Sequence, residues 1–311
     1  MGSEDRFGGI DSQARGHKLI DGIVRPRATS SSAFERSYAR FRRRLRIKHS
    51  LGIGLEARVS YENVYYCCTQ RTGSQTLRAV FQHETFWRWS GLHVKPYFEL
   101  GLREARADKR LRRAFPRHTL ACHLYLDYPT YDSIPKPSRY KTFFVMRDPR
   151  DAVVSFYYAA LVSHTPVYPI LRMRADLQTL DKRAGLRYVI DSLVEFGYFE
   201  AQRSWVSAEA ATDENVRVFR YEDRAANESR FLRELLDYLE VPMPDEELQH
   251  LASWFSFERI TGRPKGTEDI SHHLRKGTPG DWRAEFDDEI LAYFGDVTQD
   301  LVQVLGYDTN Y

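Results

Sequence analysis

The segment VYYCCTQRTGSQT, residues 64–76, decides the fold that this sequence predicts. Its first part, Val64–Cys68, is short, apolar and rich in residues that favour β-structure, so we expect a buried strand there. The polar stretch Thr69–Thr76 follows, and apolar residues then recur from Leu77 to Phe81 at helical spacing. The segment therefore predicts a strand, a loop and a helix in direct succession.

Strands and helices continue to alternate along the chain. Candidate strands are Thr119–Leu126, Thr142–Met146 and Val216–Arg220. Candidate helices are Asp151–Tyr158, Leu186–Ser207, Phe231–Leu239 and Asp288–Leu305. This alternation predicts a three-layer α/β fold, with a central, mostly parallel sheet and helices on both faces. In such a fold, the loop at 69–76 would have the position of a P-loop-like phosphate-binding loop, between a strand and a helix N-terminus.

Size and composition limit the class of protein. The 311 residues suffice for one large α/β domain, and we expect a flexible basic arm at 1–55 followed by a single domain at 56–311. A net charge of +3 does not favour a general nucleic-acid binder, so we expect no nucleic-acid partner. The cysteines, Cys67, Cys68 and Cys122, are too few for a disulfide framework and indicate a reducing, cytoplasmic location.

The basic run Arg40–Lys48 is the densest cluster of positive charge in the sequence. It is typical of a solvated helix face, and the alternative is peripheral contact with an anionic partner or lipid surface. No stretch approaches the roughly 20 apolar residues that span a bilayer, so we expect no integral membrane segment.

The loop TQRTGSQT has the composition of an anion site. A helix N-terminus presents free backbone N–H groups and a partial positive charge, and Gly73 permits the tight turn that approaches it. Thr72, Ser74 and Thr76 add hydroxyl groups, and Arg71 adds a fixed charge. An ordinary capped turn is the alternative. An ATPase or kinase loop would need GxxxxGK[ST], which this loop lacks.

Two further segments carry clustered cations. In MRDPRDAVVSFYY, residues 146–158, Arg147 at a strand end and Ser155 on the following helix could converge on one phosphate. In LRKGTPGDWRAEF, residues 274–286, two cations precede a turn that could clamp an anion. A helix cap built from Asp148 or Asp151 with a nearby arginine, and a surface turn, are the respective alternatives.

In this order, the three segments resemble the PAPS-dependent sulfotransferases of the cytosolic type, PAPS being 3′-phosphoadenosine 5′-phosphosulfate. TQRTGSQT looks like the family's 5′-phosphosulfate loop, RDPRDAVVS like its 3′-phosphate motif, and RKGTPGDW like its C-terminal element. Tyr221–Asp223 is similar to its YED step. The resemblance covers about 64–307.

The resemblance implies a role for each matching residue. The 5′-phosphosulfate would be held by Arg71, Thr72, Gly73, Ser74, Gln75 and Thr76. The 3′-phosphate would be held by Arg147, Ser155, Arg275, Lys276 and Gly277. Tyr221 and Phe257 would contact the adenine, His123 would be the catalytic base, Arg71 would also act in catalysis, and no metal is expected.

The sequence departs from the family pattern at three positions. Arg71 stands where cytosolic members usually carry lysine, and it would act electrostatically because a guanidinium does not give up its proton. Ala121 stands where a lysine usually precedes the catalytic histidine. Thr76 stands where an aromatic residue usually stacks on adenine, so the adenine contact is expected to be weaker or built differently.

The resemblance implies transfer of a sulfuryl group from PAPS to a hydroxyl or amine of a small-molecule, lipid or glycan acceptor. One alternative is a catalytically inactive interaction protein that binds PAPS or its product PAP. A kinase-like phosphotransferase is a further alternative, but its magnesium ligands are not recognisable in the sequence. The sequence does not predict the acceptor or the oligomeric state.

Overall fold

A computed structural model describes residues 55–97, 102–165 and 167–308 of the chain. All of these residues belong to one compact unit. The basic run Arg40–Lys48 and residues 1–54 of the predicted arm lie outside the described residues.

The centre of this unit is a parallel sheet of five strands. The strands are β1 (Asn63–Cys68), β2 (His93–Pro96), β3 (Thr119–Leu124), β4 (Tyr140–Met146) and β5 (Val216–Arg220), in the spatial order β2-β3-β1-β4-β5. The four strands expected from the sequence are confirmed. The edge strand β2 was not predicted, because its four residues are too few to show a period and are only partly buried.

The helices of the first half of the unit are α1 (Ser74–Phe81), α2 (Glu84–Ser90), α3 (Leu102–Ala107), α4 (Tyr128–Asp132), α5 (Pro149–Tyr158) and α6 (Tyr168–Leu177). Those of the second half are α7 (Lys182–Glu195), α8 (Tyr198–Ser204), α9 (Ala208–Thr212), α10 (Tyr221–Ala226), α11 (Glu228–Tyr238), α12 (Asp245–Trp254), α13 (Phe257–Thr261), α14 (Trp282–Glu285), α15 (Asp288–Thr298) and α16 (Leu301–Val304). Short 3₁₀ and π turns lie at Lys109–Arg112 and Ala159–Ser163.

Two predicted helices are each divided in two. The expected helix Leu186–Ser207 is α7 followed by α8, because Gly197 adopts a left-handed conformation with a φ of 71°. The expected helix Asp288–Leu305 is α15 followed by α16, and Gln299 between them has a φ of 57°. Helical periodicity continues across both breaks, so the apolar pattern alone did not reveal them.

Alternate residues of the buried strands supply two separate cores. Tyr65 and Cys67 of β1 face a core that includes residues of α5, α7, α8 and α15. Val64, Tyr66 and Cys68 face the opposite core, with residues of α1, α2, α11 and α12. Helices therefore cover both faces of the sheet, which confirms the predicted three-layer α/β fold.

Parallel pairing places the carboxyl ends of the strands at one edge of the sheet. Ligands of open α/β sheets bind at this edge, in the loops that follow the strands. The loop after β1, the bulged end of β3 and the turn after β4 all lie there. Most of the residues predicted to hold the nucleotide lie in these turns and in the C-terminal loop, whereas Ser155 lies on α5, Tyr221 directly follows β5 and Phe257 begins α13.

The described ranges contain neither a membrane-spanning helix nor a cluster of metal-ligating residues. No helix in them is long and apolar enough to cross a membrane. No group of three or more His, Cys, Asp or Glu residues in the same ranges is arranged to hold a metal ion.

Candidate active site

The predicted phosphate loop joins β1 to the N-terminus of α1. Gly73 caps this helix in a left-handed conformation, with a φ of 71°. The Thr72 hydroxyl donates to the Thr69 carbonyl oxygen at 2.9 Å, and the Ser74 hydroxyl lies 3.1 Å from that of Tyr125. Gln75 is exposed and Thr76 is half-buried. The strand, loop and helix expected from the sequence are confirmed, and the helix N-terminus can attract an anion.

Glycine is required at position 73 by its neighbours as well as by its backbone. A Cβ there would lie 3.0 Å from Nη1 of Arg224 and 3.2 Å from the ring of Tyr221. Arg224 is buried, donates to the Gly73 carbonyl oxygen at 3.0 Å and pairs with Glu228 at 2.7 Å. Tyr221, predicted to contact adenine, therefore lies directly against the phosphate loop.

Arg71 joins the phosphate loop to α5. Its Nε donates to the Ser155 hydroxyl at 2.9 Å, and Nη1 of Arg147 donates to the Arg71 carbonyl oxygen at 2.8 Å. The guanidinium of Arg147 also lies 4.5 Å from the centre of the Tyr221 ring. The structure thus brings together Arg71, Arg147, Ser155 and Tyr221, which are widely separated in the sequence.

The two guanidinium groups influence one another. Burial and the nearby charge of Arg147 lower the pKa of Arg71 to about 10. Arg71 nevertheless remains a cation at neutral pH. It can stabilise negative charge near the loop by electrostatics.

The two arginines of the motif RDPRD, Arg147 and Arg150, make different contacts. Asp148 caps α5 by accepting from the Arg150 backbone N–H at 2.9 Å, and its carboxylate pairs with the buried Arg150 guanidinium at 2.8 Å. Arg147 lies at the opposite side of the motif, next to the phosphate loop. Arg147 therefore lies where the site prediction needs it, whereas Arg150 belongs to the helix cap that was the alternative.

Two buried carboxylates, Asp151 and Asp281, link the C-terminal cations to α5. Asp151 accepts from the backbone N–H groups of Gly280 at 2.6 Å and Trp282 at 3.1 Å. Between them, Asp281 accepts hydrogen bonds from both Arg275 and Lys276. Burial raises the pKa of Asp281, but the two cations outweigh burial and leave it below its ordinary value.

Gly277 and Phe257 are in direct contact. Gly277 has a φ of 75°, and a Cβ at this position would lie only 2.5 Å from the Phe257 ring. A side chain at position 277 would therefore displace the ring that is predicted to contact adenine. Glycine also fits the backbone conformation, which L-residues rarely adopt.

His123 lies in a β-bulge near the carboxyl end of β3. The register shifts by one residue between Tyr65 and Cys67 of β1, and His123 adopts a φ of 61°. Its Nε2 lies 2.7 Å from the Ser74 carbonyl oxygen. Because a carbonyl oxygen only accepts, Nε2 carries the proton and Nδ1 carries the lone pair. The bulge aims the imidazole at the first turn of α1, beside the phosphate loop.

Burial of His123 decides its protonation state. The side chain is 0% exposed, and this burial lowers its pKa from 6.5 to about 4, although the hydrogen bond to Ser74 opposes the shift. The ring also lies parallel to that of Tyr125, with centres 5.9 Å apart. At neutral pH the imidazole is uncharged and has a lone pair that can take a proton.

The lowered pKa of His123 predicts a dependence of stability on pH. Below pH 6.5 the unfolded chain binds a proton at His123, whereas the folded chain does so only near pH 4. The free energy of unfolding should therefore fall as the pH falls from 6.5 to 4. Denaturant unfolding of the wild type and of His123→Gln between pH 6.5 and 4 tests this dependence, because the variant lacks the histidine that titrates. Parallel curves for the two proteins would contradict the assignment.

Several residues of the site were not predicted. Asp151, Asp281 and Arg224 hold the cationic segments in place through the contacts given above. Tyr198 is also buried, and its hydroxyl donates to the Gln70 carbonyl oxygen and accepts from Thr69, both at 3.0 Å. Asp281 could have been found from its place in RKGTPGDW, whereas no local pattern singles out Tyr198.

Known proteins are similar to this chain in sequence and in fold. A family model for the sulfotransferase domain matches residues 67–306. Sulfotransferase 6B1 of Danio rerio is 26% identical over 178 residues, which are 55% of this chain and 54% of the relative. The amine sulfotransferase of Oryctolagus cuniculus is 22% identical over 209 residues, 63% of this chain and 64% of the relative. The chain thus spans about half the length of the first curated relative.

A solved structure supports the fold. Mouse sulfotransferase SULT7A1, complexed with PAP, superposes with a TM-score of 0.54 at 18% identity, over 81% of this chain and 89% of that one. The family model covers the end of β1, the phosphate loop, the strand-end arginine and the C-terminal cations within a single match. This chain therefore belongs to the sulfotransferase family.

Proposed function

We propose that the chain transfers a sulfuryl group from PAPS to a hydroxyl or amine of a small-molecule, lipid or glycan acceptor. The observation that carries this proposal is the position of Arg71. Its side chain reaches Ser155 at 2.9 Å, and its carbonyl oxygen accepts from Arg147 at 2.8 Å. The loop assigned to the 5′-phosphosulfate is therefore coupled directly to residues assigned to the 3′-phosphate.

The donor would lie across the carboxyl edge of the sheet. The residues at its 5′ end would be Arg71, Thr72, Gly73, Ser74, Gln75 and Thr76. Those at its 3′-phosphate would be Arg147, Ser155, Arg275, Lys276 and Gly277, and Tyr221 and Phe257 would contact the adenine. The cations and hydroxyl groups of this set match the charge-assisted bonds that phosphate and sulfate oxygens accept. The structural relative complexed with PAP supports the assignment.

In the proposed reaction, an acceptor oxygen or nitrogen attacks the sulfur of the donor. A new bond forms between that atom and sulfur, and the bond from sulfur to the 5′-phosphate oxygen breaks, so that its electron pair stays on the departing PAP. The acceptor proton moves to Nδ1 of His123, which is unprotonated at neutral pH. In-line transfer of this kind is helped mainly by positioning and by stabilisation of charge.

Arg71 would stabilise the charge that develops on the departing 5′-phosphate. It remains a cation and does not release its proton, so its contribution is electrostatic. Backbone N–H groups at the start of α1 would add further hydrogen bonds. No metal is part of the proposed mechanism.

An inactive protein that binds PAPS or PAP is the second candidate function. The burial of His123 favours it, because the side chain is 0% exposed and its Nε2 donates to Ser74. In the active protein, an acceptor must approach Nδ1, which requires movement of the surrounding side chains. Incubation with labelled PAPS and a broad panel of hydroxyl and amine acceptors distinguishes the two functions, since only an enzyme labels an acceptor.

The proposed partners include no nucleic acid. Peripheral contact with an anionic surface through Arg40–Lys48 remains a prediction from the sequence. We also propose a cytoplasmic location, which is supported by Cys67, Cys68 and Cys122 being buried and free of disulfides.

The proposed 3′-phosphate site predicts a nucleotide preference. The wild type should bind PAP at least roughly tenfold more tightly than adenosine monophosphate, equal to about 1.4 kcal/mol, without requiring magnesium. Arg147→Ala should remove most of this preference, because the phosphate would lose its bonds to the buried guanidinium. Calorimetric titration of both nucleotides, with and without magnesium, measures the effect.

Arg217→Ala is a suitable control, because Arg217 is an exposed arginine on β5 that belongs to no predicted site. It should retain the wild-type preference for PAP. Equal binding of the two nucleotides by the wild type, or a requirement for magnesium, would overturn the proposed function.

A further inference from the structure

Arg275 contacts two carboxylates and an aromatic ring. Its Nη1 pairs with Glu268, its Nη2 pairs with Asp281, and its guanidinium lies 4.4 Å from the centre of the Tyr158 ring. Both terminal nitrogens that could bind a phosphate in the forked manner of arginine therefore already contact carboxylates. A phosphate that binds both terminal nitrogens in this manner therefore competes with these carboxylates.

The carboxylates of Asp281 and Glu268 differ in how easily they can move away from Arg275. The Asp281 side chain is 3% exposed, and its backbone lies between two residues whose N–H groups are held by Asp151. Asp281 also pairs with Lys276, so moving it would break pairs with two cations at once. The Glu268 side chain is 41% exposed and has no such restraint, so it can turn into water at little cost. A phosphate that binds Arg275 would therefore displace Glu268.

Backbone hydrogen bonds hold Glu268 beside Arg275. The N–H of Asp269 donates to the Arg275 carbonyl oxygen at 2.9 Å, and the N–H of Gly266 donates to the Lys276 carbonyl oxygen at 2.8 Å. Nη1 of Arg263 donates to the carbonyl oxygens of Thr267 at 2.6 Å and Arg275 at 3.0 Å. The segment that carries Glu268 thus runs alongside the cations, and its backbone keeps Glu268 within reach of Arg275.

We infer that Glu268 is a specificity-determining residue of the nucleotide site, because its carboxylate occupies Arg275 until a 3′-phosphate replaces it. The inference rests on the proposed function for the placement of the 3′-phosphate at Arg275. Replacement brings two like charges close together, so Glu268 weakens binding of nucleotides that carry this phosphate. A nucleotide without a 3′-phosphate does not compete with Glu268, and its affinity is independent of that residue.

Glu268→Gln tests this inference, because it removes the charge and keeps the shape of the side chain. Calorimetry should show PAP binding about two- to fivefold more tightly than in the wild type, as expected for the loss of one partly exposed charge. Binding of adenosine monophosphate should be unchanged. Glu268→Asp should restore an affinity for PAP close to that of the wild type, because it restores the charge.

Glu234→Gln is the matched control. Glu234 is also 41% exposed and also pairs with an arginine, Arg230, at 2.9 Å, but it lies on α11 outside the predicted site. It should bind PAP like the wild type. Unchanged or weaker PAP binding by Glu268→Gln would overturn the inference while leaving the proposed function intact. A wild type without any preference for PAP would instead contradict the proposed function, and the inference with it.

Discussion

Replacement of His123 by alanine is expected to lower turnover by roughly 10²-fold or more, the usual contribution of general-base catalysis. The physical reason is that the imidazole, with a pKa of about 4, is uncharged at neutral pH and can act as a base. The affinity for PAP should be nearly unchanged, because the predicted phosphate contacts come from other side chains. Turnover of labelled PAPS with an accepted substrate, together with calorimetric titration of PAP, measures both quantities.

His93→Ala is the control, because His93 is an exposed histidine on the edge strand β2. It should retain normal turnover. Near-normal turnover of His123→Ala would show that another group takes the proton. Asp127 and Glu84 would then be the alternatives, although Asp127 already caps α4 and pairs with Arg106.

Replacement of Arg150 by alanine is expected to lower the free energy of unfolding by about 3–5 kcal/mol, the cost of removing one partner of a buried ion pair. Arg150 and Asp148 are both buried and paired at 2.8 Å. The Arg150 guanidinium also lies 3.7 Å from the centre of the Trp282 ring and donates to the Asp308 carbonyl oxygen at 2.8 Å. Its removal would leave the Asp148 carboxylate without its arginine partner, and denaturant unfolding measures the loss.

The double variant Arg150→Ala with Asp148→Asn separates the loss of the ion pair from the cost of burying the Asp148 carboxylate without its arginine. It should recover part of the lost stability, because no unpaired charge then remains buried. Arg230→Ala should change stability little, because the pair that it breaks is exposed. A loss of less than about 1 kcal/mol for Arg150→Ala would show that burial of this pair does not govern stability.

The motif RDPRD shows why the tertiary structure was needed to assign its arginines. Arg147 and Arg150 have the same charge and are three positions apart, and the sequence allowed either a phosphate site or a helix cap. The first helical turn directs Arg150 towards Asp148 and Trp282, whereas Arg147 reaches the phosphate loop. Which neighbours each side chain meets depends on segments far away in the sequence, and no local pattern contains that information.

The carboxylates of the site are a similar case. Asp151 and Asp281 hold the C-terminal loop through contacts between positions 129 to 131 residues apart and through pairs with nearby cations. Their type and position were visible in the sequence, but their partners were not. The sequence allowed His123 to be a buried core histidine as well as a base, and the bulge between β1 and β3 that positions its ring is visible only in the structure.

The sequence by itself determined the strand, loop and helix at 64–81, the α/β class and the residue types of the predicted anion site. Local apolar periodicity, glycine and clustered cations express these features within short windows, because they reflect backbone preference and burial at the scale of one element. The tertiary structure decided the edge strand β2, the breaks at Gly197 and Gln299, the pairing of each cation and the lowered pKa of His123. These depend on packing between distant segments, since desolvation and ion pairing are set by whichever groups the fold brings into contact.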